Sequence, residues 1–122
     1  MEFSFNNNTP IYIQLVEQMK VYIISGALQP GERLPSVREL ALQSRSNPNT
    51  VQKALSELET AGLIYTERTN GKFVSKDAQH IAKLRCEYAQ EIAACFLADM
   101  QKIGYTAEEA LQCINELGGN DK

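Results

Sequence analysis

The sequence predicts a mainly α-helical chain with one small β-hairpin. Three observations carry that prediction. Apolar residues recur at intervals of three and four through most of the chain. Ser36 and Asn47 each open a short helical pattern, one directly after the other. An Asn70-Gly71 pair separates two runs of β-branched and aromatic residues.

The stretch from Leu34 to Leu55 reads as two short helices joined by a tight connection. Ser36 caps the first, and Glu39 three residues later completes a capping box. Val37, Leu40 and Ala41 share its apolar face. Asn47 caps the second, with Pro48 in the first helical position, where its missing N–H costs nothing. Val51, Ala54, Leu55 and Leu58 form its apolar stripe, while Asn49, Gln52, Lys53 and Ser56 face the other way. Two such helices, the second with a polar N-terminal end, make a helix-turn-helix. In that arrangement the first turns of the second helix face base edges in the DNA major groove.

The other elements follow in order. Residues 1–8 carry three consecutive Asn and little periodicity, and read as an arm or loose end. Thr9 caps a helix with Pro10 at its first position, and Tyr12, Leu15, Val16, Met19, Ile23 and Ile24 give it a broad apolar face. Gly26 stops it, and a Pro-Gly turn leads a short extended piece into the helix-turn-helix. The second helix of the pair ends near Ala61, with Gly62 as C-cap. Leu63–Glu67 and Phe73-Val74 flank the hairpin, whose tip runs from Arg68 to Lys72. Three helices and a hairpin in this order form a winged helix-turn-helix, and the small cationic tip suits phosphates or a minor groove.

From Asp77 to about Ile103 the pattern is one long amphipathic helix, with Ile81, Leu84, Tyr88, Ile92, Cys95, Phe96, Met100 and Ile103 on its stripe. Gly104 ends it; Thr106 with Glu109 caps a closing helix lined by Ala110, Leu111, Ile114 and Leu117, and Gly118-Gly119 and a charged tail finish the chain. A stripe about 39 Å long exceeds what one small winged domain covers. A second copy is the expected partner, through those eight stripe residues with Leu111 and Ile114. An intramolecular hairpin covering its own stripe is the alternative. The expected organisation is a winged helix-turn-helix over residues 1–76 and a two-helix dimerisation region over residues 77–122.

The chain has 122 residues, the size of one domain with a small appendage. Its net charge of −3 looks wrong for a DNA binder, but the distribution is uneven. Residues 33–76 hold seven basic and four acidic residues, a net +3, against −2 for residues 1–32 and −4 for residues 77–122. No apolar run approaches the roughly 18 residues of a membrane span, and the N-terminus lacks the marks of a secretion signal, so a cytoplasmic location is expected. The three cysteines form no CxxC pair and are expected to be buried or half-buried apolar residues, with no metal site. No P-loop, GxGxxG or HExxH motif occurs, and the single histidine, His80, has no catalytic neighbour at a telling spacing and is expected at an interface or in solvent. The chain is therefore not expected to be an enzyme and needs no cofactor.

Beyond these local signals, the segments PIYIQLVEQMKVYIISGALQPGERLPSVRELA and NPNTVQKALSELETAGLIYTERTNGKFV resemble the GntR family of bacterial winged-helix regulators, over Pro10–Val74. The short C-terminal region and the NPNTV run resemble its YtrA-type subfamily. The resemblance implies a repressor acting as a homodimer on a palindromic operator, with genes of ABC transporters among its targets. A small-molecule effector would have to sit in a groove between the two copies. By the same resemblance Ser36 and Arg38 contact DNA, Asn49, Thr50 and Gln52 present side chains to it, Asn47 and Lys53 flank them, and Gly71 approaches it closely at the wing. Arg68, Asn70 and Lys72 complete the expected tip. Three departures stand out. Where the family has Leu-Gly-Val between the helices, this chain has Ser44-Arg45-Ser46, so an easy positive-φ residue is lost and Arg45 offers a phosphate contact instead. Gly-x-Gly-Thr at the wing becomes Thr69-Asn70-Gly71-Lys72, and Pro48 replaces an Arg common in other branches. The competing reading is a winged-helix protein-interaction module that does not bind DNA.

Overall fold

The chain is described by a computed structural model over residues 1–118. Gly119 and the charged tail lie outside the described residues. In chain order the elements are α1 (Ile11–Ile24), α2 (Val37–Ser44), α3 (Pro48–Thr60), β1 (Ile64–Glu67), β2 (Gly71–Val74), α4 (Ala78–Lys102) and α5 (Ala107–Gly118). The chain divides into two compact units, Met1–Arg85 and the part from Cys86 onward.

In the first unit α3 packs against α1, α2 and β1. The helical spacing of the apolar residues becomes a core of Leu15, Met19 and Ile23 from α1, Leu40 from α2, Val51, Leu55 and Leu58 from α3, with Leu63 just before the hairpin and Val74 in β2. Each such side chain contributes about 1.5–3 kcal/mol by leaving water. Both predicted caps of the pair form. Ser36 Oγ accepts from the Glu39 amide at 3.1 Å while Glu39 Oε1 accepts from the Ser36 amide at 3.0 Å. Asn47 Oδ1 accepts from the Asn49 amide at 2.8 Å.

One expectation is corrected in front of α1 and one open alternative is resolved. The helix starts at Ile11, with Pro10 in the cap position at φ −55°, ψ 145° and no side-chain cap. Thr9 serves through its backbone instead, its carbonyl accepting from Gln14 Nε2 at 2.7 Å. Upstream, of the arm and the loose end that the sequence left open for residues 1–8, the structure shows the arm, laid along the helix. The arm runs against α1 through a ladder in which side chains stand in for a neighbouring strand. Glu2 exchanges hydrogen bonds with Tyr22 Oη (2.8 and 2.7 Å), Ser4 with the Gln18 amide (3.0 and 2.6 Å) and Asn6 with the Gln14 amide (both 2.9 Å). The steps match: two residues of extended chain advance about 6.6 Å, and four residues of helix about 6.0 Å. Phe3 and Phe5 stack between the rungs with centroids 6.2 Å apart, and Phe3 meets the Tyr22 ring edge-on at 6.0 Å.

The hairpin forms, with a tip shorter than the expected Arg68–Lys72, because Gly71 and Lys72 already belong to β2. Its register pairs Ile64 with Val74 and Glu67 with Gly71, leaving a three-residue connection, Arg68-Thr69-Asn70. Gly71 then takes φ 101°, the left-handed residue with which three-residue hairpin loops close. A third extended piece joins the sheet. Arg33 pairs antiparallel with Phe73, Gly31 donates to the Val74 carbonyl at 2.9 Å, and Leu34 donates to the Lys72 carbonyl at 2.8 Å. The segment leading into α2 is thus fastened to the wing. At the other end of the hairpin, Asp77 caps α4 by accepting from the His80 amide at 3.1 Å. The His80 ring, half-buried rather than solvated, lies 2.9 Å from the Ala61 carbonyl at the end of α3. A side chain on Gly62 would come within 3.0 Å of that ring.

In the second unit, the rest of α4 and α5 are joined by a turn in which Gly104 takes φ 93° and the Tyr105 amide reaches back to the Met100 carbonyl at 3.0 Å. Thr106 and Glu109 form the predicted capping box. Ala110 is buried, yet Ile92 remains 60% exposed, Ile103 70% and Leu111 58%. A hairpin that covers its own stripe is not what these helices build. Cys86 and Cys95 are exposed and only Cys113 is half-buried, so the expectation of buried thiols fails for two of the three.

The arm ladder predicts that Gln18→Ala lowers stability by about 1 kcal/mol, the value of a typical net hydrogen bond. Amide hydrogen exchange at Ser4 and Asn6 should speed up while exchange in α3 stays slow. Unchanged protection at Ser4 would count against the ladder.

Candidate nucleic-acid interface

The connection between α2 and α3 is built from an unpromising sequence. Arg45 takes φ 54°, ψ 40°, and among the described residues no other non-glycine has positive φ. The Ser46 amide donates to the Ala41 carbonyl at 3.0 Å and the Arg45 amide to the Leu42 carbonyl at 3.4 Å, the two bonds of a Schellman ending. Ser44 is buried and meets its need for a partner by donating its hydroxyl to the Leu40 carbonyl at 2.7 Å. The joint therefore keeps the geometry a glycine would give, at a cost of about 1–2 kcal/mol for a side chain in the left-handed region.

That geometry presents the N-terminal end of α3. Asn49, Gln52 and Lys53 are exposed and Thr50 is half-buried, while Val51, Ala54 and Leu55 on the opposite face are in the core. Asn47 spends its amide oxygen on the cap, which leaves its NH₂ as the outward donor. On α2, Ser36 and Arg38 are exposed beside the helix N-terminus. The Glu39 carboxyl is held below the usual carboxylate range, first by the Ser36 amide, then by the Ser36 hydroxyl, with a smaller pull from Arg33.

The cations divide into two sets. Lys72 does not reach outward from the wing: its Nζ donates to Thr66 Oγ1 at 2.7 Å and sits 3.3 Å from Glu59 Oε1 on α3. The Glu59 carboxyl is held below the usual range by the Thr66 hydroxyl first, against the opposing effect of burial, and then by Lys72. Lys53 lies with its Nζ 3.9 Å from the centre of the Tyr12 ring, a cation–π contact to α1. By contrast, among the described residues no ion pair or side-chain hydrogen bond engages the guanidinium groups of Arg33, Arg38, Arg45 and Arg68. At the tip, Asn70 is tied to Glu67 by a 3.1 Å bond, and Gly71 is exposed. The wing and the start of α2 border a groove of about 900 Å³ whose lining includes Arg33, Ser36, Glu39, Arg68 and Gly71.

Sequence reasoning passed over Arg33, Tyr12 and Glu59 in this context. For Arg33 a signal existed: in the extended piece before α2, Leu34 points inward, so Arg33 beside it points outward. For the Lys72–Glu59 and Lys53–Tyr12 contacts there was none, since both partners lie on different elements.

The residues expected at a dimer face are spread more widely. Ile81 is buried within the first unit, in company with Ile23 and Ile24. Leu84, Tyr88 and Met100 are half-buried, and Ile92, Cys95, Phe96, Ile103, Leu111 and Ile114 are exposed. Among the described residues no helix is long and apolar enough to cross a membrane, and no cluster of His, Cys, Asp or Glu could hold a metal ion.

Three helices, a hairpin wing and a joint that turns the polar end of α3 outward define a winged helix-turn-helix transcription regulator. The chain belongs to the gntR family of bacterial regulatory proteins, whose family model matches residues 11–74, and that family consists of regulators rather than enzymes. It is 37% identical to the HTH-type transcriptional repressor YtrA of Bacillus subtilis, over 95% of this chain and 90% of that protein. Among solved structures it is similar to a GntR family transcriptional regulator from Listeria monocytogenes, at 35% identity and a TM-score of 0.85, covering 92% of this chain and 98% of the other. A structure of AraR(DBD) in complex with operator ORX1 matches 62% of this chain and 96% of its own length, at 29% identity and a TM-score of 0.57.

The strained joint predicts that Arg45→Gly is more stable than Arg45→Ala by about 1 kcal/mol, because only glycine relaxes at this φ. Thermal melts of the two variants compare them directly. Equal melting temperatures would mean that the joint does not hold Arg45 in the left-handed conformation.

Proposed function

We propose that this chain is a transcriptional repressor that binds a palindromic operator as a homodimer. The observation that carries the reading is the division of α3: Val51, Ala54 and Leu55 are buried while Asn49 and Gln52 on the same helix stand in solvent. A helix so divided offers hydrogen-bonding side chains to the major groove at no cost to the core. Gln52 and Asn49 suit adenine N6 and N7, Arg38 suits guanine or phosphate, and Thr50 suits a phosphate or a thymine methyl. Ser36, Arg45 and Asn47 border them, and Arg68, Asn70 and Gly71 form the tip that meets the adjacent backbone. Lys53 and Lys72 lie at the margin of this surface, each with its charge engaged inside the protein. A similar domain, AraR(DBD), has been solved in complex with an operator, which supports DNA binding as the role of this surface.

The second copy is proposed to dock on the exposed stripe of Ile92, Phe96, Ile103, Leu111 and Ile114, so that residues 77–122 act as the dimerisation region. Apolar side chains this exposed, and this regularly spaced, favour a partner that removes them from water. A symmetric dimer would place two recognition helices on the two halves of an inverted repeat. From the resemblance to the YtrA-type subfamily we take ABC transporter genes as the proposed targets; a groove between the copies is the proposed place for any effector, and the cytoplasm the proposed location.

Binding to a duplex selected from a randomised pool should weaken steeply as salt rises, because phosphate contacts release counterions. Arg38→Ala should reduce affinity for that duplex at least tenfold without lowering the melting temperature; unchanged affinity would remove Arg38 from the interface. Replacing both Ile92 and Phe96 with Glu should give monomers by light scattering, with weaker operator binding. A double variant that stays dimeric would move the interface elsewhere.

A further inference from the structure

Lys72, the cation on the returning strand of the wing, is turned toward α3 by Glu59 and Thr66. A different cation takes the outward place. Arg33 precedes α2, yet its backbone is held in the wing sheet opposite Phe73, between the Gly31–Val74 and Leu34–Lys72 hydrogen bonds. Its neighbour Leu34 is 4% exposed, so the alternation of an extended strand turns Arg33 to solvent. The guanidinium lies along the tip itself: a Cβ on Gly71 would stand 3.5 Å from both Arg33 Nε and Nη2. It lines the groove between the wing and the N-terminus of α2, together with Arg68 and Ser36. Glu39, whose carboxylate Arg33 attracts, is committed to the α2 capping box, and no ion pair with Arg33 is formed among the described residues.

We propose that Arg33 is a further DNA-contacting residue, which binds a backbone phosphate in the groove between the wing tip and α2. The proposal rests on the reading of the chain as a DNA-binding regulator. A guanidinium held against a glycine at a strand edge is pre-oriented, loses little rotamer freedom on binding, and offers two parallel N–H donors to a phosphate. Because it addresses the backbone and not a base, Arg33 supplies affinity and register and little sequence discrimination. The β-bridge to Phe73 also couples it to the wing, so Arg33 and Arg68 would grip the duplex from one rigid sheet.

The test is fluorescence-anisotropy titration of the full chain with two duplexes of equal length, one selected by the unaltered protein from a randomised pool and one scrambled, at several KCl concentrations. Arg33→Gln should weaken binding of both duplexes by a similar factor, about tenfold at low salt, and reduce the slope of log affinity against log salt by about one per bound protomer. Arg33→Lys, which keeps the charge without the fork, should keep the slope and lose only part of the affinity. Unchanged affinity and slope in Arg33→Gln would overturn the proposal while leaving the DNA-binding reading intact. Loss confined to the selected duplex would overturn the phosphate assignment in favour of a base contact. No binding of either duplex by the unaltered protein would overturn the DNA-binding reading itself.

Discussion

The candidate surface is held in place by one buried stripe. Val51, Ala54, Leu55 and Leu58 fix α3 in the groove between α1, α2 and β1. A 13-residue helix makes fewer than four turns, so only one face is available for that anchoring. The face left over carries Asn49, Gln52 and Lys53, and its orientation follows entirely from how the apolar face is seated. Packing and presentation are thus two sides of a single helix. Anything that rotates α3 about its axis by one residue would bury a polar side chain and expose an apolar one, which close-packed interiors resist strongly.

The approach of α2 to α3 is governed by a much shorter element. Ser44-Arg45-Ser46 contains no glycine, no large apolar residue and one charge, yet it reproduces a Schellman ending. Two local devices make this work. The buried Ser44 hydroxyl returns its hydrogen bond to the same helix, so it enters the core without an unmet donor. Arg45 accepts the left-handed conformation that two backbone bonds impose. Strain of this kind persists only where the surrounding structure over-determines the backbone, and here two capped helices on either side do so.

Charge on this protein is a matter of placement more than of number. The net charge is −3, but the acidic residues of the first unit are largely occupied in local structure: Glu39 in a capping box, Glu59 with Thr66 and Lys72, Glu67 with Asn70. Lysines near the surface are occupied as well, one over Tyr12 and one on Glu59. What remains outward around the helix-turn-helix and the wing tip is a set of arginines, Arg33, Arg38, Arg45 and Arg68, the side chain best matched to phosphate and guanine geometry. In the second unit the unused resource is apolar: a stripe at helical spacing that the two helices do not cover for each other.

The element types and their order were legible in the chain itself, because each rests on interactions within a few residues. Ser36 with Glu39, Asn47 with Pro48, and Thr106 with Glu109 are local devices, and all three form as their spacing requires. The apolar stripes were legible for the same reason, and so was the outward set on α3. What sequence could not supply were contacts between side chains far apart along the chain. The arm was unreadable as ordered structure because its partners, Gln14, Gln18 and Tyr22, belong to a helix whose spacing happens to match an extended chain. Lys72 looked like a free cation until the fold brought Glu59 beneath it. Arg33 looked like a linker residue until the sheet lifted it to the wing tip. Which helices and strands form is decided by neighbours in sequence; which charges are left for a partner is decided by neighbours in space.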